Sequence, residues 1–166
     1  MKRAAIGESI LVVVDMQMGF AAALASWLLD AVESEIRQAN NDQWSIVALE
    51  LLTGNPLVFY GNTHQRLMDA ARTRKQHESD PQRFFMRVKV TWDGSSRVED
   101  VCHLQGYQPR RFRVCGVKSR HCVQDTAVGL ALAYPDSIVE VVKAACNQDL
   151  DHNWNTFPVM ENLRLV

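Results

Sequence analysis

Short runs of apolar residues alternate along the chain with longer segments in which apolar positions recur every three to four residues. The short runs predict strands over residues 10–14, 45–52, 84–90, 112–115 and 137–142, with an edge strand over residues 163–166. The longer segments predict helices over residues 21–40, 64–75, 96–104 and 123–134. Residues 57–60 fit a strand or a packed loop, and residues 151–163 a helix or a loop. Strands that alternate with helices predict a doubly wound α/β sheet.

The first strand ends in a candidate functional residue. Residues 10–14 read Ile-Leu-Val-Val-Val and are apolar on both faces, which is typical of a central parallel strand. Ligand sites in such sheets lie at the carboxyl ends of the strands, and Asp15 stands at that point. The alternative is that Asp15 only caps a turn or helix.

A second candidate lies between the strand 112–115 and the helix 123–134. Residues 116–123, Gly-Val-Lys-Ser-Arg-His-Cys-Val, predict a tight turn that places Cys122 in the first turn of the helix. The unpaired N–H groups and the partial positive charge of a helix N-terminus favour a thiolate. The sequence therefore predicts a depressed pKa and a nucleophilic role for Cys122. The alternative is a small apolar cysteine packed at a helix start.

Lys89 is the third candidate, because it lies near the carboxyl end of the strand 84–90. All strand ends of one direction face the same side of a parallel sheet, so we expect Asp15, Lys89 and Cys122 to meet in one cleft. There Lys89 would favour the thiolate, and Asp15 would accept the thiol proton and return it to a leaving group. The alternative for Lys89 is a solvated strand end.

Composition and charge narrow the functional classes. Of the 166 residues, 47% are hydrophobic and 22% charged, which predicts one globular domain over residues 1–166. The net charge of −1 gives no indication of nucleic acid or a membrane as a partner. The four cysteines form no C-x-x-C pair and no zinc spacing, so we expect reduced thiols in a cytoplasmic protein. Asp15 interrupts the first apolar run too early for a signal peptide or a membrane span.

Taken in order, these segments resemble the isochorismatase-like cysteine hydrolases. Residues 12–20, Val-Val-Val-Asp-Met-Gln-Met-Gly-Phe, resemble the V-I-D-M-Q-x-x-F opening of that family. Residues 114–127 resemble its G-V-x-T-x-x-C-V-x-x-T-A segment, and residues 138–146 are similar to its V-x-V-V-x-D-A strand. Lys89 stands where the lysine of the family is expected. The resemblance extends through nearly the whole chain.

The resemblance implies a three-layer α/β/α fold with a mostly parallel six-stranded sheet. It also implies a catalytic triad of Asp15, Lys89 and Cys122. A non-proline cis peptide would join Val117 to Lys118, and the backbone N–H groups of Lys118 and Cys122 would form an oxyanion hole. With the cysteine present, the resemblance implies hydrolysis of an amide or imide C–N bond in a small molecule through a thioester, without a cofactor.

The chain departs from one branch of the family. Nicotinamidase relatives carry an Asp-x-His metal motif soon after the second strand, whereas residues 45–53 contain no histidine. His64 and His77 do not restore the spacing, so no metal is expected.

The substrate pocket is expected to include aromatic residues. Phe20, Trp92 and part of residues 50–60 are candidates for its walls. His121, next to the cysteine, is a further candidate, with a surface role as the alternative.

Relatives commonly assemble, so the resemblance implies a homo-oligomer. Four apolar residues near the carboxyl end would supply interface area or cap the core: Trp154, Phe157, Val159 and Met160.

Two other functions stay open. One is a catalytically inactive member of the fold that acts as a binding or scaffold protein. The other is a thiol-dependent redox protein, although the sequence lacks a C-x-x-C pair and an evident resolving cysteine.

Overall fold

Six strands alternate with four α-helices in the structure, a computed structural model that describes residues 7–55, 57–72, 82–147 and 154–166. The strands are β1 Ser9–Val14, β2 Ser45–Leu51, β3 Phe84–Lys89, β4 Arg111–Val117, β5 Ile138–Asn147 and β6 Leu163–Leu165. The helices are α1 Ser26–Asn41, α2 Gln65–Arg72, α3 Ser95–Gln105 and α4 Gln124–Ala133. Each strand and helix predicted from the apolar pattern is present. The differences are small shifts in where an element begins or ends, except in β5, which continues five residues beyond its predicted end. The carboxyl end of the predicted helix 64–75 and the amino end of the predicted helix or loop 151–163 lie outside the described residues.

The strands form one sheet in the order β3-β2-β1-β4-β5-β6, and every pair in it is parallel. Helices α1 and α2 pack together, and α3 packs on α4. The strand order reverses on either side of β1, because β2 and β4 are its two neighbours. Such a reversal separates the carboxyl ends of adjacent strands and opens a crevice for a ligand. The prediction of an α/β fold with a six-stranded sheet is confirmed.

The centre of the sheet is buried on both faces. Residues 10–14 of β1 are at most 2% exposed, as the continuous apolar run predicts. The backbones of β1 and β4 approach closely at Gly116, where a Cβ atom would lie 2.1 Å from the Val14 carbonyl oxygen. Gly116 also has a φ of +120°, so only glycine fits there. This close approach places the turn after β4 directly beside the end of β1.

Two segments near the carboxyl edge differ from expectation. Residues 57–60 form a loop, in which Leu57 is 91% exposed and Phe59 74% exposed. The apolar residues there therefore do not belong to a buried strand. Strand β5 continues to Asn147, beyond the predicted end at residue 142. Its register with β4 shifts, because Val114 pairs with Val141 whereas Gly116 pairs with Cys146. Such a bulge bends a strand and leaves extra residues unpaired, which hides its continuation in the sequence.

The apolar residues near the carboxyl end mostly cover the core. Phe157 is buried, and Trp154 and Met160 are partly buried against the main cluster. Val159 is fully exposed. Among the helices of the described ranges, none has both the length and the apolar character needed to cross a membrane.

Candidate active site

Asp15 begins the loop that follows β1. Its φ of +49° turns the chain out of the strand, and its N–H still donates to the Leu49 carbonyl oxygen at 3.0 Å. Short polar side chains such as Asp tolerate this left-handed conformation better than branched ones. The side chain of Asp15 is fully buried. The structure thus fixes a carboxylate in the interior at the carboxyl edge of the sheet.

Lys89 is the last residue of β3 and is only 1% exposed, so a solvated strand end is the wrong description of it. Its Nζ lies 2.9 Å from Asp15 Oδ2 and donates to the carbonyl oxygens of Thr91 and Trp92, at 3.1 Å each. Strand β2 separates β3 from β1, a distance of about 10 Å between strand axes. A long side chain is therefore needed to reach Asp15 across β2.

Cys122 lies in a π-helical turn, Ser119–Val123, that precedes α4. The peptide bond that joins Val117 to Lys118, just before this turn, is cis, as the resemblance implies. Cys122 is 4% exposed, and its thiol lies close enough to Asp15 and Lys89 for the three groups to change one another's pKa. The structure therefore brings together all three side chains that the sequence singles out.

Burial controls the protonation of this group. Desolvation raises the pKa of Asp15, while the Lys89 ammonium and the nearby Cys122 thiol oppose that rise. Burial and the Asp15 charge raise the pKa of Cys122 to about 12, and Lys89 opposes this increase. The predicted depressed pKa of Cys122 is wrong, because desolvation outweighs the favourable charges. Cys122 accordingly keeps its proton as a thiol near neutral pH, and its titration is coupled to that of Asp15.

The carbonyl group of Lys118 holds the backbone turn that contains Cys122. Its oxygen accepts hydrogen bonds from the N–H groups of His121 and Val123, both at 3.1 Å. The residues predicted for the oxyanion hole, Lys118 and Cys122, consequently stand at the start of the turn and near its end.

Two aromatic pairs contain the predicted pocket residues. Phe20 is buried and stacks on Tyr60, with ring centroids 4.2 Å apart. Trp92 is 56% exposed and lies against His121, with ring centroids 4.8 Å apart. The Trp92 carbonyl binds Lys89, so the second pair adjoins the buried triad.

Sequence reasoning missed two residues that support this group. A Cβ atom on Gly94 would lie 2.9 Å from Lys89 Cδ and 2.4 Å from Leu49 Cδ1, so this glycine makes room for the lysine stem. The N–H of Gly94 donates to Thr126 Oγ1 at 2.9 Å. Gln17 is 2% exposed and binds backbone groups of two other segments. Its place in the Asp-Met-Gln motif, two residues after Asp15, is the signal that could have identified it.

The donor set does not fit a metal ion. Within the described ranges, no group of three or more His, Cys, Asp or Glu side chains converges in a way that could hold one. Glu50, at the end of β2, instead accepts a hydrogen bond from the Thr63 N–H at 2.7 Å. His77 lies outside the described residues.

No family model matches the chain, and no curated protein sequence is significantly similar to it. Solved structures are similar. A pyrazinamidase of Pyrococcus horikoshii, solved in complex with zinc, has a TM-score of 0.66 and 20% identity over 96% of this chain and 98% of its own. An isochorismatase-like hydrolase from Alkaliphilus metalliredigens has a TM-score of 0.68 and 13% identity over 95% and 86%. The MAR1 ribonuclease from Caenorhabditis elegans has a TM-score of 0.67 and 18% identity over 89% and 68%.

These proteins carry different activities in their names, and at 13–20% identity the similarity establishes the fold alone. It extends over most of the chain in each case, in agreement with the resemblance seen in the sequence. The chain has the fold of the isochorismatase-like hydrolases.

Proposed function

We propose that this protein is an isochorismatase-like cysteine hydrolase that cleaves a C–N bond of a small amide or imide through a thioester on Cys122. The observation that carries the proposal is the contact among Asp15, Lys89 and Cys122 at the carboxyl edge of a parallel sheet. Nucleophile, proton acceptor and cation are within reach of one another, which is the arrangement that covalent catalysis needs. The pyrazinamidase among the structural neighbours is named for an amide substrate, which supports this bond type.

In the first half of the reaction, the Cys122 thiol passes its proton to Asp15 as the sulfur attacks the carbonyl carbon of the substrate. The backbone N–H groups of Lys118 and Cys122 would bind the oxyanion that forms. When the tetrahedral intermediate collapses, the C–N bond breaks and protonated Asp15 gives its proton to the leaving nitrogen. An acyl group then remains on Cys122 as a thioester.

In the second half, water attacks the thioester. Asp15, again a carboxylate, accepts a proton from the water, and the C–S bond breaks as the new acid forms. The proton returns from Asp15 to the sulfur, which restores the starting state. The Lys89 side chain lies beside both groups, where its ammonium would stabilise the negative charge on the sulfur or on Asp15.

The raised pKa values suit this proton transfer. A thiol with a pKa of about 12 is a poor source of thiolate in the free protein. Desolvation makes Asp15 a stronger base than an exposed carboxylate, so the proton can move during the attack instead of before it. When the sulfur attacks, the negative charge would pass from Cys122 and Asp15 to the substrate oxygen, which the oxyanion donors bind.

Phe20 and the Trp92–His121 pair form the pocket walls in this proposal, and the substrate is small. No step needs a metal ion or another cofactor. We also propose a cytoplasmic location, because the four cysteines are free and buried, and a homo-oligomeric state. Nucleic acid has no role in this mechanism.

A second candidate function is a catalytically inactive protein that binds a small ligand in the same pocket. The burial of Cys122 and its pKa of about 12 favour this candidate, because inert structural cysteines share both properties.

A hydrolysis screen over small primary amides, imides and carbamoyl compounds, with the wild type and Cys122→Ala, tests the proposal. We expect ammonia or amine release by the wild type and none by the variant. Cys122→Ala should still fold, because a small residue replaces a small one at this position. Mass spectrometry of the acid-quenched wild type should find the acyl adduct on Cys122. Hydrolysis that survives in Cys122→Ala would eliminate the thioester route, and binding of amides without turnover would support the second candidate.

A further inference from the structure

The side-chain amide of Gln17 extends the sheet where the backbone of β1 has left it. The last β1–β2 register pair is Val14 with Leu49, followed by the hydrogen bond from the Asp15 N–H to the Leu49 carbonyl. The next residue of β2 that points its peptide groups toward β1 is Leu51. Its N–H donates to Gln17 Oε1 at 2.7 Å, and its carbonyl oxygen accepts from Gln17 Nε2 at 3.2 Å.

A backbone strand would supply these two partners from its own peptide groups. Here one amide supplies both the acceptor and the donor, so the chain can turn away at Asp15 without leaving Leu51 unsatisfied. Peptide groups left unpaired in this interior would destabilise the fold. The φ of +49° at Asp15 and the reach of Gln17 are therefore two parts of one arrangement.

The same amide binds a third segment. The second N–H of Nε2 donates to the Gly61 carbonyl at 2.8 Å, and the backbone of Gln17 forms an antiparallel bridge with Thr63. The segment that Gln17 holds begins at Tyr60, whose ring stacks on Phe20 and whose carbonyl oxygen accepts from the Gly19 N–H at 2.7 Å. Both N–H donors of Gln17 are thus used, and the side chain is 2% exposed.

The position of Leu51 connects this amide to Lys89. Leu51 and Lys89 are partners in the β2–β3 register, and the N–H of Leu52 donates to the Lys89 carbonyl at 2.9 Å. Asp15 is two residues from Gln17 along the chain. Gln17 is therefore connected through Leu51 to the strand that carries Lys89.

We propose that Gln17 is a positioning residue that sets the Asp15–Lys89 separation and holds the Phe20–Tyr60 wall beside the triad. Its catalytic meaning rests on the proposed function. Its amide contacts backbone groups, so its action on the reaction is through other residues. A shift of a reacting group by about 1 Å can cost roughly a hundredfold in rate, so a single misplaced loop would suffice to impair turnover.

Loss of the Gln17 amide should raise the pKa of Asp15. If Asp15 and Lys89 separate, the cation that opposes the desolvation of Asp15 acts more weakly, and the pKa of Asp15 rises. General destabilisation of the fold would lower the folded fraction but would leave the titration of the folded molecules unchanged. The titration midpoint of Asp15 consequently separates positioning from simple stability.

The test compares the wild type with Gln17→Met, which keeps the length and shape of the side chain but has no amide. The Asp15 carboxyl carbon is followed by ¹³C NMR against pH in the full chain, with its resonance assigned by its disappearance in Asp15→Asn. We expect the midpoint in Gln17→Met to rise by at least about half a pH unit. With an amide found in the hydrolysis screen, kcat should fall roughly tenfold or more and KM should change far less.

The matched control is Gln38→Met, which removes an exposed amide that binds Asp42 Oδ2 at 2.7 Å on α1. It should leave both the midpoint and kcat unchanged. Should Gln17→Met fail to fold, Gln17→Asn decides, because its amide is one methylene too short to reach both partners. An unshifted midpoint in a folded Gln17 variant would overturn the inference. If the wild type hydrolyses no amide, the proposed function fails, and the NMR midpoint still judges the role of Gln17.

Discussion

Lys89 Nζ lies 2.9 Å from Asp15 Oδ2, and the two side chains are 1% and 0% exposed. Burying an ion pair costs several kcal/mol of desolvation for each ion, which the attraction between them only partly offsets. Removing one partner leaves the other as an uncompensated charge in the interior. The buried pair is therefore not expected to stabilise the fold, and its presence indicates a functional site.

Lys89→Met should destabilise the protein in a pH-dependent manner. Without the ammonium, desolvation raises the pKa of Asp15 further above its ordinary value, so folding favours the neutral acid. The cost is absent below about pH 4 and grows as the pH rises toward the folded pKa of Asp15. Near pH 8 we expect a loss of roughly 3 kcal/mol in the free energy of unfolding. Urea denaturation at several pH values measures it.

Lys143→Met is the control for that series, because Lys143 is an exposed lysine on β5. Its unfolding free energy should follow that of the wild type at every pH. An equal loss for Lys89→Met at pH 4 and pH 8 would contradict the assignment of the cost to a buried Asp15 charge.

Asp15→Asn should change thiol reactivity and turnover in opposite directions. The Asp15 charge is among the causes that raise the pKa of Cys122 to about 12. Removing it lowers the thiol pKa, so iodoacetamide should alkylate Cys122 faster in the variant at pH 8. Hydrolysis should fall by roughly 100- to 10,000-fold, because the proton acceptor is gone. Slower alkylation of the variant would show that the carboxylate does not oppose the thiolate.

Gly94→Ala should impair the site without altering any member of the triad. The added Cβ would meet Leu49 Cδ1 at 2.4 Å and Lys89 Cδ at 2.9 Å, so the lysine stem must move. We expect a loss of about 1–3 kcal/mol in the free energy of unfolding, together with reduced hydrolysis. Gly54→Ala is the comparison, because its Cβ would have nothing within 4 Å. Equal unfolding midpoints for the two variants would contradict the close packing at Gly94.

Trp92→Ala should weaken substrate binding and spare the chemistry. The ring is 56% exposed beside His121, whereas the carbonyl that binds Lys89 belongs to the backbone and survives the substitution. We expect KM to rise roughly tenfold, equivalent to about 1.4 kcal/mol of binding free energy, with kcat changed much less. Trp27→Ala removes a 50% exposed ring on α1 and should leave KM unaltered. A fall in kcat at constant KM would instead indicate that Trp92 contacts the reacting atoms and does not only line the pocket.

Much of the fold could be predicted because the local patterns are strong. The β1 run is apolar on both faces, and the helical segments repeat at the right period, so these elements appear within a few residues of their predicted ends. The continuation of β5 past Val142 depends on its pairing with β4, which no local pattern shows. The exposure of Leu57 and Phe59 likewise depends on which neighbours cover that loop.

The candidate site was predictable in its members but not in its energetics. Strand ends and motif order identified Asp15, Lys89 and Cys122 as residues that meet. The sign of the thiol pKa shift depends on how completely the surrounding chain excludes water, and the sequence alone suggested the wrong sign. Gln17 escaped notice because its role arises only when the chain leaves the sheet at Asp15.

The buried pair of Asp15 and Lys89 also constrains how this lineage can change. A single substitution at either position leaves the other charge buried without a partner, so it lowers the stability of the fold. Replacing both residues by apolar ones removes the desolvation cost of both charges. The two positions are therefore epistatic: the harm of a change at one depends on the residue at the other. A lineage that loses either charge should therefore lose both nearly together, and one that keeps either charge is under pressure to keep its partner.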